Sequence, residues 1–223
     1  MKSWLVLLLI LLCQIPAFCA LEFDGFIADE AGILSKSAKQ DLNMTLWDLQ
    51  KKSQADIAVV IVKSLDGKSV EQAALDIGRS YKIGSKEKNN GVVFLTALKE
   101  HRMRIELGTG LEDKIPVSSL EKIRDNDILP YYRQDDYESG ILRGTYKLAN
   151  LVADAEGVKI TLQGNCPVRV ADGSSSKEHP PLWVYIIALL MAPFSGRRRR
   201  GYGSFGGFGG GGGFGGSGCS GSW

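Results

Sequence analysis

Apolar residues fall along this chain in three rhythms. Ala55–Val62 and Gly91–Leu98 are apolar at nearly every position, the pattern of strands covered on both faces. Arg102–Leu107 alternates, with Met103, Ile105 and Leu107 on one face and Arg102, Arg104 and Glu106 on the other. The short polar join Lys99-Glu100-His101 makes an antiparallel hairpin of the last two. Elsewhere apolar residues recur every three or four positions, as on an amphipathic helix. Ala38, Leu42, Leu46 and Leu49 do so in a helix capped by Ser35 or Ser37 and running to about Lys52. Val70, Ala73, Ala74, Ile77 and Tyr81 follow a Ser69/Gln72 capping box, and Leu120, Ile123, Ile128 and Leu129 follow one at Ser118/Glu121. Pro130 ends that third helix, since the residue before proline disfavours the helical region. Asp135 and Glu138 cap a last helix to about Ala155, which buries Ile141, Leu142, Leu148, Leu151 and Val152.

After a short extended lead-in at Leu21–Ile27, the predicted order is therefore α-β-α-β-β-α-α. The β-α-β unit makes Ala55–Val62 and Gly91–Leu98 parallel neighbours joined by a right-handed crossover. The expected fold is a three-layer α-β-α domain with a mixed, largely parallel sheet, spanning residues 21–157. Residues 158–181 form a linker rich in Ser, Gly and Pro. Its weak alternation at Val158, Ile160 and Leu162 fits a hairpin about Gly164-Asn165 or a loose connection equally well.

The two ends add a topology. Residues 1–20 carry Lys2, an apolar run Trp4–Leu12 and small residues at Ala17 and Cys19, the layout of a secretory signal peptide. Residues 182–196 contain LWVYIIALLMAPF, short of the ~20 residues that span a bilayer unaided. Arg197–Arg200 follow, as on the cytoplasmic flank of a membrane segment. This predicts a single span, the main domain outside the cytoplasm and residues 197–223 inside. The glycine-rich part of that tail is assigned no secondary structure. On this topology Cys166 and Cys219 lie on opposite sides and cannot pair, while Cys13 and Cys19 leave with the signal. A net charge of +2, with basic residues interspersed among acids, argues against nucleic acid as a partner.

Several motifs resemble one known family. Asp29-Glu-Ala-Gly-Ile-Leu-Ser35, Asn89-Asn-Gly-Val-Val, Arg104-Ile-Glu-Leu-Gly-Thr-Gly-Leu-Glu112, Leu129-Pro-Tyr-Tyr132 and Asp136-Tyr-Glu-Ser-Gly140 look like the TPM domain. That family includes bacterial membrane proteins and thylakoid-lumen proteins linked to photosystem II repair. The resemblance implies acid-phosphatase activity and divalent-cation binding in some members, and assembly or auxiliary roles in others. Val117 departs from the pattern, standing where the family often places an acid.

Two groups of residues carry candidate chemistry. Strand directions place Asp29, Asp66, Asp135 and Asp136 at the carboxyl ends of the parallel strands, where α/β folds bind ligands. Together they offer the oxygen ligands that calcium or magnesium takes, and separately they serve as helix caps and turn formers. At the opposite end Asn90 and the Gly108-Thr-Gly-Leu-Glu112 loop allow close backbone approach to an anion or a peptide, or simply turn the chain. Only His101 and His179 are present, so histidine-based nucleophilic catalysis and multi-histidine zinc sites are disfavoured. The expected function is a membrane-tethered extracytoplasmic binding module with a protein partner in the envelope, in assembly, repair or quality control. The alternative is a metal-dependent acid phosphatase.

Overall fold

A computed structural model describes residues 21–163 and 207–223. Strand β1 (Ile27–Asp29) leads through helix α1 (Lys36–Ser53) to β2 (Asp56–Val62), and α2 (Val70–Ser80) leads to β3 (Gly91–Ala97). The hairpin partner β4 (Arg102–Gly108) is followed by the helical turn α3 (Thr109–Glu112) and helix α4 (Val117–Ile123). A π-helical turn, Arg124–Ile128, joins α4 to α5 (Leu129–Tyr132), and α6 (Tyr137–Ala155) completes the helices. The last strand, β5 (Phe214–Ser222), comes from the glycine-rich tail.

The sheet order is β1-β2-β3-β4-β5. β1, β2 and β3 run parallel, with Val59 opposite both Ile27 and Phe94. β4 runs antiparallel to β3 and β5 antiparallel to β4. The sheet is mixed as expected, with two of its four pairings antiparallel rather than one. Helices cover both faces, so the three layers follow from the continuous apolar runs. One face packs Ile57, Val59, Ile61, Phe94, Met103 and Ile105 against α1, α4, α5 and α6. The other packs Ala58, Val60, Val93 and Leu95 against Val70, Ala74 and Ile77 of α2.

Local differences have local causes. Ser35 and Ser69 cap as read, accepting from Ala38 N and Gln72 N at 3.2 and 3.1 Å. The cap of α6 is Asp136 rather than Asp135, whose positive φ of 56° places it in the preceding turn. Ser118 does not cap α4, because Pro116 occupies that position and the helix begins at Val117. Pro130 opens α5 rather than ending α4: in a first turn, its missing N–H has no bond to forfeit.

The tail is the main correction. Expected to have no secondary structure, it supplies a strand to the sheet. Gln163 and Gly207 both meet α1: Gln163 N donates to Thr45 Oγ1 (3.0 Å) and Gln50 Nε2 to Gly207 O (3.4 Å). Residues 1–20 and 182–196, the expected signal peptide and span, lie outside the described residues, as do Gly164-Asn165, Cys166 and His179. Among the described residues no helix is long and apolar enough to cross a membrane.

Candidate strand-binding edge

β4 is the origin of the site. Its alternation sends Met103, Ile105 and Leu107 into one core, and sends Arg104 and Glu106 to the α2 face. There they are buried, not solvated: Arg104 is 7% exposed and Glu106 0%. Arg104 Nε and Nη2 donate to Glu106 Oε2 at 2.9 and 2.6 Å. Burial pushes the Glu106 carboxyl up, more than the bonds and charge of Arg104 pull it down. The remaining Arg104 donors go to the tail, Nη2 to Gly216 O at 2.9 Å and Nη1 to Ser220 Oγ at 3.2 Å. Ser220 Oγ donates in turn to Glu71 Oε1 at 2.6 Å.

The tail approaches beneath the amino ends of the parallel strands. Gly209 N donates to Asp56 Oδ2 (2.7 Å), an oxygen that also accepts from Gly84 N (2.9 Å). Gln50 Nε2 donates to Asp56 Oδ1 at 2.7 Å. Burial raises the Asp56 carboxyl above its usual range, against the opposing pull of the bonds from Gly209, Gln50 and Gly84. Gly213 N then donates to Asn89 Oδ1 (3.2 Å), and Thr109 N to Gly213 O (2.9 Å). From Phe214 the chain climbs β4, with Gly218 opposite Glu106 and Ser222 opposite Arg102.

Side chains anchor this strand on both faces. Phe214 is buried in the α2-side core, and a Cβ on Gly78 or Gly91 would stand 2.7 or 3.0 Å from its ring. Cys219 is buried in the opposite core, and burial raises its thiol to about 11. Trp223 closes the far end, with ring centroids 4.6, 5.5 and 5.9 Å from those of Tyr132, His101 and Tyr137. Its Nε1 donates to Tyr137 Oη at 3.3 Å. Earlier in the tail, Phe208 meets Phe23 edge-on at 5.0 Å.

The two expected sites change meaning in this geometry. Gly108 and Gly110 allow residues 108–110 to lie against the backbone at Lys88 and Asn89, and Gly110 N donates to Asn89 O at 3.0 Å. Asn90 is buried, accepting from Ser85 N at 3.1 Å. A Cβ on Gly215 would stand 2.7 Å from Glu112 Oε1, so the tail passes beside that carboxylate. The segment packed beside this loop is the chain's own tail, with Thr109 N donating to Gly213 O at 2.9 Å. The four aspartates are not joined as a metal site. Asp29 is committed to Lys39 Nζ (2.9 Å) and to the N–H groups of Gly32, Ile33 and Leu34. Burial would raise its carboxyl, but the Lys39 bond, the Leu34 and Ile33 N–H groups and the Lys39 charge hold it below its usual value. Asp66 is an exposed turn residue with φ 49°, Asp136 accepts from Ser139 N (3.2 Å), and Asp135 accepts from Tyr137 Oη (3.1 Å). Among the described residues no group of three or more His, Cys, Asp or Glu is placed to hold a metal ion.

The TPM domain profile matches residues 27–151, more than half of the chain. The chain belongs to the TPM domain family. This TPM domain chain is similar to the N-terminal domain of a protein from P. gingivalis solved by NMR. They share 27% identity over 60% of this chain and 85% of that one, with a TM-score of 0.54. It is also similar to the BA42 protein of the psychrophilic bacterium Bizionia argentinensis, at 19% identity over 57% and 86% of the two chains and a TM-score of 0.49. No curated protein matches it. The matched region ends before the tail, so the family resemblance carried no sign of β5. The signals in the sequence were the spaced aromatics Phe208, Phe214 and Trp223, and a hairpin strand whose outer edge had no assigned cover.

Proposed function

We propose that this TPM domain is a membrane-tethered extracytoplasmic binding module that takes an extended peptide strand along β4. It would serve assembly, repair or quality control of envelope or membrane protein complexes. The observation that carries the reading is β5 itself, a strand of Gly, Ser, Phe and Cys held by the β4 ladder, Arg104 and aromatic pockets. Strand addition of this kind draws affinity from main-chain bonds and selectivity from pockets for alternate side chains. Membrane attachment rests on residues 182–196, and the shared meeting place of Gln163 and Gly207 on α1 favours approach to the bilayer from one side. The metal-dependent phosphatase alternative needs a carboxylate cluster, and none of the four aspartates has surroundings that favour it.

The test uses a labelled peptide of residues 207–223 added to the full chain carrying Phe214→Ala and Trp223→Ala, which weaken its own tail. The peptide should bind this variant and fail to bind when Gly78→Leu also fills the Phe214 pocket. No binding to the tail-weakened variant would refute the reading.

A further inference from the structure

Resting on that strand-binding reading, we infer that the β4 edge accepts the tail of a second copy of this chain, so that two molecules exchange β5. The groove is selective in a way this tail satisfies. A Cβ at position 218 would press on Ile105 O, one at 221 would stand 2.8 Å from Arg124 Cδ, and one at 215 would stand 2.7 Å from Glu112 Oε1. The strand must therefore be glycine at 218, where the neighbour is backbone, and is best small at 215 and 221, with an aromatic ring at 214 to fill the space left by Gly78 and Gly91. It must also present a hydroxyl to Arg104 and Glu71 from position 220, and an indole to Tyr132 and Tyr137 from position 223. The tail of a second copy meets each requirement by identity.

The connection allows the exchange. A stretch of 43 residues, 164–206, separates the two parts of the sheet in the sequence. Fully extended it spans over ~100 Å, more than the width of a neighbouring domain. Contacts made within one chain and between two chains are the same, so the choice turns on loop closure alone. A tether of this kind presents its own tail at an effective concentration on the order of millimolar. Exchange is thus a minor form in dilute solution and grows with local concentration, as on a crowded membrane surface. The tail carries little strand preference of its own, being mostly glycine and serine, so a released tail stays available for another edge.

The experiment uses full chains whose native cysteines are serine. One carries Arg102→Cys and the other Ser222→Cys, positions that face each other across β4 and β5 and are both exposed. Opposed residues of an antiparallel pair fall within disulfide reach. A single chain with both substitutions is the control for the register. Mixed and oxidised, the two chains should form the 102–222 bond between molecules, in a yield that rises with protein concentration from ~10 to several hundred µM. Gly78→Leu in the Ser222→Cys chain blocks that chain's own edge and should raise the yield several-fold. The same substitution in the Arg102→Cys chain should abolish it. If the control closes but the mixture does not, exchange between copies is refuted while strand binding stands. A mixed bond indifferent to Gly78→Leu in the acceptor reports random collision and also refutes exchange. If the control itself fails to close, the β4–β5 register is wrong and both readings fall.

Discussion

Phe214→Ala separates a docked tail from an integral strand. The ring is 4% exposed, seated against Gly78 and Gly91, and its carbonyl accepts from Arg79 Nη2 at 2.8 Å. Truncating a buried phenylalanine costs about 3–5 kcal/mol, partly lost transfer energy and partly the cavity left behind. That cost falls on docking, because β5 pairs with β4 at the sheet edge and the core on the opposite face packs without Phe214. At ~1.4 kcal/mol per tenfold, about 3 kcal/mol moves the docked-to-undocked ratio by about 100-fold. Hydrogen–deuterium exchange reads this directly, since an edge element opens at lower free energy than the central strands. Amides of residues 215–222 should exchange about 100-fold faster in the variant, with those of β2 and β3 changed by a few-fold at most. Equal acceleration in β2, β3 and β5 would show that the tail opens only with the whole domain. Acceleration below about threefold in β5 would show that the Phe214 pocket is not the anchor.

Four further outcomes follow from the same geometry. Arg104→Ala should destabilise the chain by about 3–5 kcal/mol in urea unfolding, because Glu106 is left buried without its cation, and adding Glu106→Gln should recover part of the loss. The buried Cys219 thiol, raised to about 11, should resist alkylation at pH 8 in the native chain and become reactive in Phe214→Ala, measured by mass spectrometry with the other cysteines replaced by serine. Asp56 keeps its proton to higher pH when folded than when unfolded, so stability should fall as pH rises from the ordinary value of 3.8 through its raised folded value. Asp56→Asn should flatten that segment of the pH–stability curve in urea titrations. Finally, cysteines placed at Ser222 and at exposed Lys63 should be labelled from the same side of intact membranes by an impermeant maleimide. Labelling of position 222 only after the membrane is breached would mean that the tail cannot complete the sheet in the anchored protein.

How far the sequence could be read depended on which interactions leave a periodic trace. The runs Ala55–Val62 and Gly91–Leu98 announced strands with helices on both sides, and both helices and parallel pairing are present. The strand Ile27–Asp29 begins where the extended lead-in Leu21–Ile27 ends, and three residues are too few to show a period. The π-turn at Arg124–Ile128 preserves helical spacing closely enough that one helix was expected where two are joined. Arg104 and Glu106 have the alternation of a solvated face, and nothing local says that a distant strand will cover them. Strand directions bring the acidic residues toward one end of the sheet, yet Asp29 spends its carboxylate on Lys39 and three backbone N–H groups. Strand topology brings loops together; it does not say which carboxylates are already occupied.

The tail was illegible for a more general reason. Glycine-rich sequence has no burial pattern, so its structure is decided by the surface that receives it and not by its own preferences. That surface is the outer edge of β4, which without β5 would expose a row of main-chain donors and acceptors beside the Arg104–Glu106 ion pair. Covering such an edge with a strand that is mostly glycine and serine gives main-chain pairing with few side-chain contacts. The contacts that do form are concentrated at Phe214, Cys219, Ser220 and Trp223. A hydrophobic, β-branched strand in the same place would be held along its whole length and would be hard to release. An edge cover attached at a few points can be removed by weakening one of them, which is the property a reversible strand-binding site requires. The same glycines that hide the strand from a sequence reading are what make its attachment local.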